Sequence, residues 1–196
     1  MQVFGLLLAA GRATRFGGDK LLAPIPTTTL DVAAGTPLGV AAARHLVQAL
    51  PSSVAIVRPN SPALCALFAG TGLRVVQCAD ADDGMGASLA CGVAATRDAD
   101  AWIVTLADMP WITPATIRDV VDALQHGADI VAPAYRGVRG HPVGFARRHF
   151  AALAALTGDT GARDLLRAEA HGVTLIDVDD PGIVRDVDTP AALHNG

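Results

Sequence analysis

The chain has 196 residues, 51% of them hydrophobic and only 17% charged, which excludes a disordered chain and supplies one sizeable core. A net charge of −4 argues against a general nucleic-acid binder, and aromatics at 4% leave little for a base-stacking platform. No apolar run approaches the ~20 residues of a membrane-spanning helix, so one domain over residues 1–196, with no membrane partner, is expected.

An apolar run over Val3–Ala9 reads as a buried first strand. Nothing basic precedes it, so no cleaved signal peptide is expected and the chain reads as cytoplasmic. The run breaks at Gly11 into a loop with Arg12, Arg15 and Lys20, and with Gly17 and Gly18 between them. Glycine lets backbone N–H groups approach phosphate oxygens, and Arg and Lys neutralise them. The loop is a candidate triphosphate site, or a solvated loop with incidental charges. It is not a P-loop, because Leu21 follows Lys20, and it lacks the G-x-G-x-x-G spacing of dinucleotide folds.

Residues 24–36 are irregular and read as a surface loop or a flap. Helices are expected near 37–50, 62–69, 86–97 and 114–126, and further ones over 147–156 and 160–170. Strands alternate with them at Val54–Arg58, Leu73–Gln77, Trp102–Leu106, Asp129–Ala132 and Val173–Val178. Thr113 before Pro114 has the pattern of an N-cap, and Gly127 that of a helix stop. Near-continuous apolar strands separated by helices predict an α/β fold: three layers, a mainly parallel sheet with helices on both faces. Ligands of such sheets bind beyond the carboxyl ends of the strands.

Gly84-Met85-Gly86-Ala87-Ser88 stands at a helix start and suits an anion or a base edge, or an ordinary turn and cap. Asp108 ends a strand. It is placed to hold Mg²⁺, or simply enters the turn before Pro110. Asp186 and Asp188 share one face of an extended segment; Asp188 is a second carboxylate or the N-cap of a last helix. His141 lies in Gly140–Phe145, at the mouth of a site or as an ordinary hydrogen-bonded residue, with Arg136 and Arg139 before it. Cys65, Cys78 and Cys91 form no C-x-x-C pair and read as small buried hydrophobes of a reducing compartment. Nothing nearby singles out Cys91 as a nucleophile.

Together these stretches resemble the nucleotidyltransferases of molybdenum cofactor biosynthesis, most closely the molybdenum cofactor cytidylyltransferase branch. The family pattern L-A-A-G-x-S-x-R-F-G-x-x-K is matched by Leu8–Lys20, with Ala13 in place of the usual Ser. G-M-x-x-S-L is matched at Gly84–Leu89, D-M-P at Asp108–Pro110 and G-x-P-V-x-F at Gly140–Phe145. G-x-R-x-L-L is matched at Gly161–Leu166 and the D-x-D-T-P ending at Asp186–Pro190. The segment after Lys20 is longer than the pattern, and Gly39 stands where an apolar residue is usual.

The resemblance implies a Rossmann-like fold of the nucleotide-diphospho-sugar transferase type. It implies that Leu8, Ala9, Ala10 and Gly11 contact the base, that Arg15 and Lys20 grip the triphosphate, and that Gly84 and Ser88 complete the base and ribose pocket. Asp108 and Asp188 would hold Mg²⁺, and His141 would meet the acceptor. The reaction implied is transfer of CMP from CTP to a phosphorylated pterin, with a molybdenum hydroxylase as a downstream partner. L-A-A-G, against the L-A-G-G of the guanylyl branch, favours CTP over GTP. Another phosphate acceptor, such as a sugar or polyol phosphate, and a non-catalytic cofactor carrier are the alternatives.

Overall fold

The computed structural model describes residues 1–11, 16, 19–28 and 32–195. Its elements are β1 (Val3–Leu8), α1 (Leu38–Ala49), β2 (Ser53–Val57), α2 (Pro62–Ala69), β3 (Arg74–Gln77), α3 (Met85–Ala95) and β4 (Ala101–Leu106). There follow α4 (Pro114–Gln125), β5 (Ile130–Tyr135), β6 (Val138–Arg139), β7 (Val143–Ala146), α5 (Phe150–Ala154), α6 (Arg163–Ala168) and β8 (Val173–Asp177). Short 3-10 turns cover Lys20–Leu22, Pro181–Val184 and Pro190–Asn195.

The strands form one sheet in the order β3-β2-β1-β4-β7-β5-β6, with β8 on the other edge of β5. β1 pairs in parallel with β2 and β4, β2 with β3, and β5 with β8. β7 runs antiparallel between β4 and β5. The sheet is therefore mainly parallel, as expected, but the β6–β7 return was not read from the sequence. Val143–Ala146 is too short for a periodicity signal, and it follows His141-Pro142, which reads as a turn. The helices over 147–156 and 160–170 prove shorter, confined to α5 and α6 with flanking turns.

Side chains alternate across each strand, so period two decides which layer each residue enters. From β1, Val3 and Leu7 pack with α1, α2 and α4 on one face. Leu6 and Leu8 pack with α3, α5 and α6 on the other. β4 repeats the pattern, with Ile103 towards the first layer and Trp102 and Val104 towards the second. Burying each Leu or Ile contributes about 1.5–3 kcal/mol, and Leu6, Leu7, Ile56 and Ile103 are fully buried. Trp102 satisfies its indole by donating to Thr96 Oγ1 at 2.9 Å.

Thr113 caps α4, its hydroxyl accepting from the Thr116 amide at 3.3 Å, and Gly127 adopts φ +98° just past the helix end. Gly39 packs against Leu21 and the Phe68 ring, where a Cβ would sit at 3.2–3.3 Å. That close approach explains why no larger side chain stands there. Residues 24–28 and 32–36 are anchored: Ile25 and Val32 are buried, and the Ile25 amide donates to the Thr36 carbonyl at 2.9 Å. No helix among the described residues is long and apolar enough to cross a membrane.

His149 is 5% exposed and its Nε2 accepts from Arg148 Nε at 3.2 Å, an arrangement that requires a neutral ring. Burial first, then the Arg148 charge, holds its pKa below the ordinary 6.5. His141 is shifted the same way, chiefly by burial. As the pH falls below 6.5 the unfolded chain takes up protons that the folded chain refuses, so stability is full above that pH and declines below it. Thermal melts between pH 7.5 and 5.5 should show a falling midpoint, and His149→Gln should reduce the slope.

Candidate functional site

The carboxyl ends of β1 and β4 lie side by side, with Leu8 opposite Leu106. The chain leaving β1 passes through Ala9, Ala10 and Gly11, and the chain leaving β4 passes through Ala107 to Asp108. Between these exits and the start of α3 lies a cavity of about 540 Å³, within the size range of small-molecule sites. Leu8, Ala9, Ala10, Gly11, Lys20, Gly84, Ser88 and Asp108 all line it, as expected from the sequence. Met85 of the Gly84–Ser88 motif lines it too, as do Asp19, Asp82 and Asp159, which were not singled out. Asp159 had no signal of its own, being 75 residues beyond the Gly84 loop that it meets. Arg15 lies outside the described residues.

One end of the cavity is ionic. Lys20 Nζ bonds Asp108 Oδ2 at 2.7 Å and Asp188 Oδ1 at 3.4 Å. Residues 20, 108 and 188 thus converge although 168 positions separate the outermost pair. Lys20 offsets one of the two negative charges in this corner, and Lys20 and Asp108 are only 14% and 23% exposed. Taking them from water would be costly without that pairing.

The last segment of the chain carries Asp188 here. The Val187 amide donates to the Asp108 carbonyl at 2.9 Å, and the Val187 side chain is fully buried. Further back, Asp180 is 4% exposed and ties this segment to the start of α4. Its Oδ2 accepts from the Thr113 amide (2.9 Å), the Thr113 hydroxyl (3.0 Å) and the Thr116 hydroxyl (2.6 Å). Its Oδ1 accepts from the Gly182 amide at 2.9 Å. Asp180 was missed because nothing in Val178-Asp179-Asp180-Pro181 separates a buried carboxylate from a turn residue.

The other end of the cavity is built from backbone. Gly84 begins α3 with φ +114°, a conformation that L side chains rarely adopt. The Gly86 amide donates to the Gly158 carbonyl at 2.7 Å, and a Cβ on Gly86 would collide with the Thr157 carbonyl. The loop over 157–159 therefore closes against the first turn of α3. Ser88 is buried and donates to the Gly84 carbonyl at 3.2 Å, so its hydroxyl serves the helix start as well as the wall.

His141 does not line this cavity. Its amide donates to the Ile183 carbonyl at 2.9 Å, its ring is set against the Val104 carbonyl, and its Nδ1 is buried without a hydrogen-bond partner. Burial lowers its pKa most, opposed by Asp108 and Asp186 and assisted by Arg139. The ring stands behind the Asp108 corner. Arg136 occupies the β5–β6 turn, its guanidinium 4.9 Å over the Tyr135 ring, and Arg139 is exposed on β6. Of the cysteines, Cys78 is buried, while Cys65 and Cys91 are half-buried. Burial, then Cys78 beside it, pushes the Cys91 thiol up to about 12, where it stays protonated and unreactive.

Among the described residues no group of three or more His, Cys, Asp and Glu could hold a metal by themselves. Asp108 and Asp188 converge on one cationic point, which Lys20 Nζ shares. That donor set suits Mg²⁺ or Mn²⁺, which bind through one or two carboxylates plus substrate phosphates. Gly86→Val should force the 157–159 loop away from α3, costing about 1–3 kcal/mol by overpacking. Denaturant melts and nucleotide titration should show lower stability together with weaker nucleotide binding.

Residues 5–173 match the family model of the MobA-like NTP transferase domain. Nicotine blue oxidoreductase of Paenarthrobacter nicotinovorans is 33% identical, over 98% of this chain and 95% of its own. The crystal structure of Rv0371c from Mycobacterium tuberculosis superposes with a TM-score of 0.83 at 31% identity, covering 99% of this chain and 96% of that one. The complex of Rv0371c with manganese superposes with a TM-score of 0.77 at 29% identity, covering 100% and 97%. The mainly parallel sheet, its nucleotide-sized cavity at the β1 and β4 ends, and this match over most of the sequence agree: the chain belongs to the MobA-like NTP transferase domain family and is a nucleotidyltransferase of that type.

Proposed function

We propose that the chain acts as a single cytoplasmic domain that transfers CMP from CTP to the terminal phosphate of a pterin such as molybdopterin or its molybdenum form, releasing pyrophosphate. The observation that carries this reading is the ion-pair cluster of Lys20 with Asp108 and Asp188, of which Lys20 and Asp108 line one end of the cavity and Asp188 stands beside them. The triphosphate belongs at that ionic end, and the ribose and base belong against Ala9–Gly11, Gly84 and Ser88. Ala10 is 3% exposed and forms part of the cavity wall. The resemblance to the L-A-A-G branch favours CTP over GTP on the same residue.

The divalent metal, when bound, supplies charge neutralisation at the α-phosphoryl oxygens. Asp108 and Asp188 would hold it, and the manganese complex of Rv0371c supports a divalent ion in this fold. Lys20, released from one carboxylate, would stabilise the departing pyrophosphate together with Arg15. The acceptor phosphate is already anionic, so no side chain needs to act as general base. Catalysis then rests on positioning and electrostatics. A molybdenum hydroxylase that receives the finished dinucleotide is the partner that this reaction implies.

A second reading comes from the relative named an oxidoreductase. A reduced nicotinamide dinucleotide offers the same ribose and phosphate groups to the same cavity. Pyrophosphate release measured with Mg²⁺, molybdenum cofactor and CTP, GTP or UTP in turn separates the cases. Release with CTP is the expected result. Release only with GTP overturns the base assignment, and, in a parallel assay, hydride transfer from a reduced nicotinamide dinucleotide to an added dye acceptor without pyrophosphate release favours the second reading. Asp108→Ala should lower kcat about 100-fold or more while the protein stays folded; near wild-type turnover would remove Asp108 from the reaction.

A further inference from the structure

Asp188 is carried by a segment that pairs with no strand. Residues 185–189 have no regular secondary structure and lie between the 3-10 turns at Pro181–Val184 and Pro190–Asn195. The position of Asp188 therefore depends on point attachments. One is next to it, the Val187 amide on the Asp108 carbonyl. Asp188 itself meets Lys20 at 3.4 Å, and further back the densest set gathers around Asp180, whose two oxygens take four hydrogen bonds from Thr113, Thr116 and Gly182.

Between these ends the segment is wedged. Gly182 lies so close to the Trp111 carbonyl, and Gly140 so close to the Ile183 carbonyl, that neither position has room for a Cβ. Ile183 is fully buried, its carbonyl accepts the His141 amide, and Arg185 lies 4.7 Å over the Trp111 ring. Trp111 and Thr113 belong to the connection that leaves β4 through Asp108. The Asp180 attachment therefore ties together the two stretches of chain that carry the two carboxylates.

We propose that Asp180 is a positioning residue of the metal site: by fastening residues 180–188 to the start of α4, it sets where Asp188 stands against Asp108. This rests on the reading of Asp108 and Asp188 as the metal-holding pair. Partners that orient ligands from behind commonly change metal affinity about 10- to 100-fold when removed. The effect must run through Asp188, which separates this role from a general contribution to stability.

Mn²⁺ binding by the full chain, counted from the electron paramagnetic resonance signal of free Mn²⁺, tests this. The variants are Asp180→Asn, Thr116→Val, Asp188→Asn and the Asp180→Asn/Asp188→Asn double variant. The expected result is an affinity about 10-fold weaker in Asp180→Asn, a smaller loss in Thr116→Val, and no further loss when Asp180→Asn is added to Asp188→Asn. Binding of CTP without metal should be unchanged. Wild-type Mn²⁺ affinity in Asp180→Asn, or an equal loss with and without Asp188, overturns the proposal. If Asp180→Asn does not fold, an unshifted Thr116→Val overturns it instead. A wild-type chain that binds no Mn²⁺ fails earlier and differently, removing the metal reading itself.

Discussion

The buried carboxylate of Asp180 tethers the end of the chain to its middle. Its oxygens accept from two backbone amides and two hydroxyls. Such a group is tolerable in the interior only when fully hydrogen-bonded, because an unpaired buried charge is strongly destabilising. The requirement works in both directions. Thr113 and Thr116 cap α4 and, in the same turn, receive the segment that ends in Asp188. Without that tether the last segment would be held beside the cavity by the Val187–Asp108 and His141–Ile183 bonds, the Lys20–Asp188 ion pair and packing.

The sheet supplies the other half of the arrangement. Parallel pairing of β1 with β2 and β4 places their carboxyl ends on one rim. The loops that follow them meet there whatever their separation in sequence. Insertion of β7 antiparallel between β4 and β5 brings Gly140 and His141 to the same rim from the opposite chain direction. The Ile183 carbonyl then accepts from His141, so one short strand buttresses both the β4 exit and the last segment.

At the ionic end, Lys20 is held by two carboxylates and is mostly shielded from water. On the proposed reading the two carboxylates would hold a divalent metal, leaving this compact cation to a phosphate. The same three side chains thus make sense with and without substrate. The opposite end is built differently. It is shaped by Gly84 and Gly86, which let the 157–159 loop approach α3 more closely than any other residue would permit.

Much of this was legible in the amino-acid order, because strand and helix periodicities are local properties. The alternation of buried strands and helices, the Thr113 cap and Asp108 at a strand end follow from neighbouring residues, whereas the pocket roles of Leu8–Gly11, Gly84 and Ser88 came from the family resemblance. What periodicity could not show was β7, four residues long after a turn-like His141-Pro142. Nor could it show that His141 is tucked behind Asp108 rather than lining the cavity. Asp159 and Asp180 were silent for the same reason: their partners lie about 70 residues away. The sequence by itself determined which residue types reach the rim, since those are set by each strand and the loop after it. Only the tertiary structure decided that Lys20, Asp108 and Asp188 share one corner, because their distance depends on the order of strands and on a tether that closes across the whole fold.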